Sequence, residues 1–264
     1  MLNEALIFFL CVAATAVGAI SGLGGGLIIR PVLDIWSGYG ADMVSFMSGC
    51  TVLAMAVVSL LKNMGSGLSL ERGRGTMIAL GAAAGGVLGK MVFDILLRSF
   101  ANEPLVGAVQ SGVLIAVALF AMTYTLIKGR LHPKNINNRA ICVIAGVVSG
   151  IISAFLGVGG GPVNLFVLSY LLGMDVKAAV LHSIYIILFS QAAALLRTLL
   201  TGTVPHFPAM VLFIMIVGGI VGGFVGSFIS RRLTGRLVDK LFVCILVAVC
   251  GFSSYNIYIF FSHV

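Results

Sequence analysis

Between Arg139 and Asp175 the chain reads AICVIAGVVSGIISAFLGVGGGPVNLFVLSYLLGM, residues 140–174, without one Asp, Glu, Lys or Arg. A helix that spans the hydrocarbon core of a bilayer needs about 20 mainly apolar residues, and the run 140–156 nearly supplies them. GVGGG at 157–161 then interrupts it, because each glycine costs a helix interior about 1 kcal/mol relative to alanine. A short apolar run, 162–173, follows the break. The pattern is a broken membrane helix. Its unpaired backbone groups would cost several kcal/mol each in lipid, so the break must be lined by protein or water.

The same signature occurs in the first half, where GLGGG at 22–26 separates the apolar run 3–21 from a short run at 27–36. The two breaks are 135 residues apart, as Gly22 and Gly157 show. Other paired features lie at nearly the same offset. Gly81, Gly85 and Gly89 are answered by Gly218, Gly222 and Gly226, and Gly40-Ala41-Asp42 by Gly173-Met174-Asp175. An internal repeat is the economical explanation. It gives a first transmembrane repeat at 1–127, a basic linker at 128–139 (KGRLHPKNINNR) and a second repeat at 140–264.

The whole chain agrees with a membrane setting. Of 264 residues, 60% are hydrophobic and 9% charged, and mean hydropathy is +1.16. A soluble domain carries about 25% charged residues, so a soluble globular protein is excluded. Apolar runs at 3–21, 43–61, 75–97, 105–127, 140–156, 178–200, 209–230 and 241–260 are long enough to cross. The expected fold is all-α: a polytopic helical membrane protein of two homologous, inverted repeats with glycine-broken helices. The N-terminal run lacks a basic flank, so it reads as a retained helix rather than a signal peptide. The five cysteines lie in apolar runs without a CxxC and read as buried hydrophobes.

The surplus of 16 Lys and Arg over 8 Asp and Glu would suggest nucleic acid in a soluble protein. In a membrane protein it belongs in cytoplasmic loops, so no nucleic-acid partner is expected. Three clusters carry it: Lys62, Arg72 and Arg74; Lys128, Arg130, Lys134 and Arg139; Arg231, Arg232, Arg236 and Lys240. All three face the cytoplasm only if each broken unit goes across and returns. Each half then has an odd number of crossings, both termini lie outside, and the halves are inverted, an arrangement common in secondary transporters. The short runs, rising about 15–18 Å against a core of about 30 Å, cross by extending into neighbouring loops or are re-entrant.

The glycine breaks have two readings. Exposed N–H groups and a positive helix end suit an anion, which makes Gly22, Gly24, Gly25, Gly26, Gly157, Gly159, Gly160 and Gly161 candidate substrate-binding positions. The alternative is a pair of tight turns between packed helices. The ladders Gly81/Gly85/Gly89 and Gly218/Gly222/Gly226 instead read as close-packing faces.

Two GxGGG segments, each followed by a short apolar piece and a long helix, resemble the sulfite exporter TauE/SafE family of bacterial membrane transporters. The resemblance covers nearly the whole chain. Gly22-Leu23-Gly24-Gly25-Gly26 with Pro31 and Leu33 follows the family's GxGGGxxxxPxL pattern. Gly157-Val158-Gly159-Gly160-Gly161 and Leu168 follow it again, with Phe166 in place of the proline and Pro162 earlier. The family places small polar residues near the start of the next helix, and Ser48-Gly49-Cys50-Thr51 and Leu181-His182-Ser183 stand there. The resemblance implies export of a small organic or inorganic anion, such as sulfite, a sulfonate or a short carboxylate, across the inner (cytoplasmic) membrane.

Polar residues in apolar runs complete the candidate site, since ionisable groups in a membrane are functional hypotheses by default. Arg30, four residues past GLGGG, could grip an anion bidentately, snorkel to the interface or pair with Asp34. His182 could carry a coupled proton or be a neutral core histidine. Ser48, Thr51, Asn164, Ser183 and Gln191 offer further donors. Lys90 and Asp94 are read as a pair, and Arg197 as an interfacial residue. No catalytic order such as HExxH or GxSxG occurs, so no enzyme and no cofactor or metal is expected. Expected partners are the anion and membrane lipid, with a coupled proton as a further candidate. An anion channel and a membrane scaffold protein are the alternative functions.

Overall fold

The computed structural model describes residues 3–63, 73–99 and 103–262, and Arg72 of the first basic cluster lies outside them. Ten α-helices and no strand are present among the described residues: α1 (Glu4–Ser21), α2 (Gly26–Trp36), α3 (Ala41–Asn63), α4 (Arg74–Ser99), α5 (Glu103–Ile127), α6 (Arg139–Leu156), α7 (Gly161–Phe166), α8 (Val176–Leu200), α9 (Ala209–Arg232) and α10 (Gly235–Ser262). Eight are long and apolar enough to cross a membrane; α2 and α7 are the short pieces after the breaks. The two short pieces differ. Pro31 sits inside a regular α2, and its carbonyl accepts a 3.1 Å hydrogen bond from Asn256 Nδ2 on α10. By contrast α7 widens after Phe166 into a π turn, Val167–Leu171.

Polarity is distributed as lipid requires. Large apolar side chains such as Phe9, Leu88, Phe213 and Leu200 are exposed, while Ser48, Ser149, Ser153, Ser183, Ser190 and Gln191 are buried. Without a hydrophobic drive between helices, association rests on close packing and interhelical hydrogen bonds. The glycine ladders supply the close packing. A Cβ at Gly81, Gly85 or Gly89 would overlap the carbonyl oxygen of Val143, Val147 or Ile151 on α6, so α4 and α6 run in parallel, backbone to backbone. In the same way Gly218, Gly222 and Gly226 lie against Cys11, Val12 and Ala16, which sets α9 parallel to α1. On the adjoining face, Gly86 meets Ser190 of α8, and Gly223 meets Met55 of α3. The helices thus interleave: α1 and α3 hold α9, α6 and α8 hold α4, and α5 packs on α10.

The basic segments gather at one end. Arg231 donates to the Lys62 carbonyl, Arg74 Nη1 to the Ile136 carbonyl at 3.4 Å, and Lys128 Nζ to Asp239 Oδ1 at 2.5 Å. Aromatic contacts mark the other end, with Phe46 on Phe207 at 5.3 Å and Trp36 on Phe252 at 6.2 Å between ring centroids.

Candidate functional site

Each break begins where a crossing helix stops at a left-handed glycine. Gly22 has φ 74° and Gly157 has φ 64°, a conformation that costs a side chain with Cβ about 1–2 kcal/mol. Gly22 N–H donates to Gly18 O at 2.8 Å and Gly157 N–H to Ala154 O at 3.3 Å, which answers some of the carbonyls that every helix end leaves open. The two breaks then meet. A Cβ at Gly161 would overlap the Leu23 backbone, and one at Gly26 would lie 2.9 Å from Val158 Cα. Backbone stripped of side chains therefore crosses backbone in the interior, and each break is lined by the other.

Side chains from α3 and α8 tie this crossing. Ser48 Oγ donates to Gly157 O at 2.9 Å and Ser183 Oγ to Gly22 O at 2.6 Å. Arg30, buried on α2, is also committed to protein. Its guanidinium donates to the Leu156 carbonyl and to Gln110 Oε1, and its Nε stands 3.7 Å from Asp34 Oδ2. Gln110 Nε2 in turn donates to Phe155 O at 2.7 Å. Of the three readings of Arg30, the pair with Asp34 is present, and its other N–H groups meet a need of the helix end: the last carbonyls of α6 need donors, and a cation is favoured there. Gln110 is the residue that sequence reasoning missed. Its signal was a lone amide in the apolar run 105–127.

The other candidates separate. Asn164 on α7 accepts from Ser149 Oγ, and its own Nδ2 is buried without a partner among the described residues. Thr51 Oγ1 turns back to Met47 O at 2.8 Å while its backbone packs on Gly219. His182 is buried, with Nδ1 2.8 Å from Ala178 O and its ring against Gly75 of α4. Gln191 reaches Ser153 Oγ at 3.4 Å, and Ser153 and Ser190 lie 3.2 Å apart. Of the glycines, Gly24 lies 3.0 Å from Val158 O, measured from a built Cβ, Gly25 meets Thr15, Gly159 faces Val52 and Ile187, and Gly160 meets Ser153.

Two cavities approach the crossing from opposite ends. One reaches Ser21 and Pro162 from the basic end, with Lys128 and Asp239 among its lining. The other touches Gly157 and is lined by Ser45, Phe46, Lys90, Gln191 and Leu195 among others. Lys90 pairs with Asp94 at 3.1 Å as expected, and Arg197 joins them: its Nη1 lies 2.5 Å from the other Asp94 oxygen. No group of three or more His, Cys, Asp or Glu that could hold a metal occurs among the described residues.

Comparison with known proteins adds one finding. Residues 7–252 match the family model described as Sulfite exporter TauE/SafE. No curated protein matches the chain.

Proposed function

This chain belongs to the sulfite exporter TauE/SafE family, and from that premise we propose that it is a secondary transporter exporting a small organic or inorganic anion, such as sulfite, a sulfonate or a short carboxylate. The observation that carries the proposal is the meeting of two glycine breaks between two cavities of opposite access. An anion channel needs a continuous path, whereas here Leu23 against Gly161 and the Ser48 and Ser183 hydrogen bonds stand between the cavities. The anion would bind beside the breaks, near the amides of Asn164 and Gln191, while Ser48 and Ser183 hold the breaks themselves. Arg30 would act as a positioning residue that holds the end of α6 and with it the second break.

The two halves, 1–127 and 140–264, are proposed to be inverted repeats. Support comes from reciprocal packing: α9 lies on α1 and α3 of the first half, and α4 lies on α6 and α8 of the second. The cytoplasm is assigned to the basic end by the positive-inside tendency, which puts both termini outside and the protein in the inner membrane.

The deciding experiment is flux in liposomes. Purified protein should move labelled sulfite, ethanesulfonate or propionate above the rate of empty liposomes, and an imposed pH gradient reports proton coupling. Flux of none of the three would overturn the assignment.

A further inference from the structure

We propose that Lys90 is the anion-binding cation of the cleft at the end opposite the basic loops, and that this cleft selects monoanions carrying a short apolar tail. The inference rests on the transporter assignment and names the substrate class that the cleft fits.

Lys90 sits on α4, buried, in the wall of the cleft that also touches Gly157. An isolated ammonium within a membrane is expensive, so its charge balance matters. Among the described residues its ion-pair partner is Asp94, at 3.1 Å, with the Phe93 ring 4.4 Å from Nζ. Asp94 is shared, because Arg197 Nη1 lies 2.5 Å from its second oxygen. Two cations thus divide one carboxylate. Asp42 and Arg30 act on Lys90 at longer range with opposite signs. The buried pair on α2 is different: among the described residues Asp34 pairs with Arg30 alone, and Arg30 donates further N–H groups to Leu156 and Gln110.

An ammonium has three N–H donors, and one carboxylate cannot occupy them all. The cleft offers the place for a second acceptor. Its lining combines the polar Lys90, Ser45, Gln191 and Thr198 with the apolar Phe46 and Leu195. One bound negative charge balances the Lys90–Asp94–Arg197 group, whereas a second negative charge would be left facing Asp94. A sulfonate or carboxylate head on Lys90 with a short alkyl tail against Phe46 and Leu195 suits both kinds of lining residue. An inorganic dianion satisfies neither the charge nor the apolar wall.

The test is calorimetric titration of detergent-purified protein with ethanesulfonate and with sulfate, beside the liposome flux described above. Wild type should bind ethanesulfonate at least about tenfold more tightly than sulfate. Charge-assisted hydrogen bonds are about twice as strong as neutral ones, so Lys90→Gln should weaken ethanesulfonate binding about tenfold or more, while Lys90→Arg keeps most of it. Leu195→Trp, which fills the cleft next to its apolar lining and leaves the charges in place, should weaken ethanesulfonate and erase its advantage over sulfate; it carries the test if Lys90→Gln does not fold. Wild-type affinity in folded Lys90→Gln or in Leu195→Trp overturns the proposal, as does sulfate binding as tightly as ethanesulfonate. Wild-type flux with unchanged Lys90→Gln affinity removes this cleft and leaves the transporter standing. Absence of all wild-type flux and binding removes both.

Discussion

Ser48 and Ser183 make the same hydrogen bond across the molecule in opposite senses. Ser48, on α3, donates to Gly157 of the second break at 2.9 Å, and Ser183, on α8, donates to Gly22 of the first at 2.6 Å. The two serines are separated by the 135 residues that also separate the two glycines. Each half therefore closes the helix break of the other, and neither break is satisfied from within its own half alone.

Removing either hydroxyl leaves a buried carbonyl short of a donor, a loss worth about 1–3 kcal/mol. Ser48→Ala and Ser183→Ala should each lower the thermal midpoint of the detergent-purified protein, and the double variant should lie below both. Thr123→Val is the control, since Thr123 is exposed and bonds only the Leu119 carbonyl of its own helix; its midpoint should not move. Wild-type midpoints in both serine variants would show that these bonds do not hold the breaks.

The ladder glycines differ sharply from glycines that face open space. A Cβ at Gly85 would overlap the Val147 carbonyl, and one at Gly222 would overlap Thr15 and Val12. Overpacking of this kind costs about 1–3 kcal/mol, so Gly85→Ala and Gly222→Ala should reduce thermal stability. Gly112, inside α5, has nothing within 4 Å. Gly112→Ala should be neutral or gain up to about 1 kcal/mol of helix propensity. Melting curves of the three variants check the contrast, which fails if they shift alike.

Arg30→Met strips the donors from Leu156 and Gln110 and leaves Asp34 unpaired in the interior. Breaking a buried ion pair costs about 3–5 kcal/mol. The variant should be poorly stable, and adding Asp34→Leu, which removes the orphaned carboxylate, should recover part of the loss. Ethanesulfonate affinity in the surviving protein should stay near that of wild type. Lost affinity at normal stability would return Arg30 to direct contact with the anion.

Orientation is open to labelling. With Cys11, Cys50, Cys142, Cys244 and Cys250 replaced, a cysteine at Val204, in the loop between α8 and α9, should react with an impermeant thiol reagent outside intact cells. A cysteine at Pro133, in the linker at the basic end, should react only after permeabilisation. The reverse pattern would invert the assignment of the cytoplasmic face.

The sequence by itself determined that this is a membrane protein of eight crossing helices and two short ones, and where most of them begin and end. The reason is local. In lipid each helix must satisfy its own backbone, so a charge-free run such as 209–230 becomes a crossing helix and a cluster such as 157–161 becomes a break, whatever else the chain does. The ladder glycines were legible for the same reason, because a smooth helix face has one common use in a membrane. Only the tertiary structure decided what the polar groups do. Beyond its neighbour Asp34, Arg30 donates to a carbonyl on α6, Gln110 on α5 completes the same knot, and Asp94 is shared with Arg197 from α8. These pairings join residues far apart in the chain, and they depend on which faces the parallel packing of α4 on α6 and α1 on α9 brings together. Side-chain chemistry limits what Arg30 or Lys90 can bind. The competition among nearby acceptors, set by packing, turned Arg30 to a helix end and left Lys90 facing a cleft.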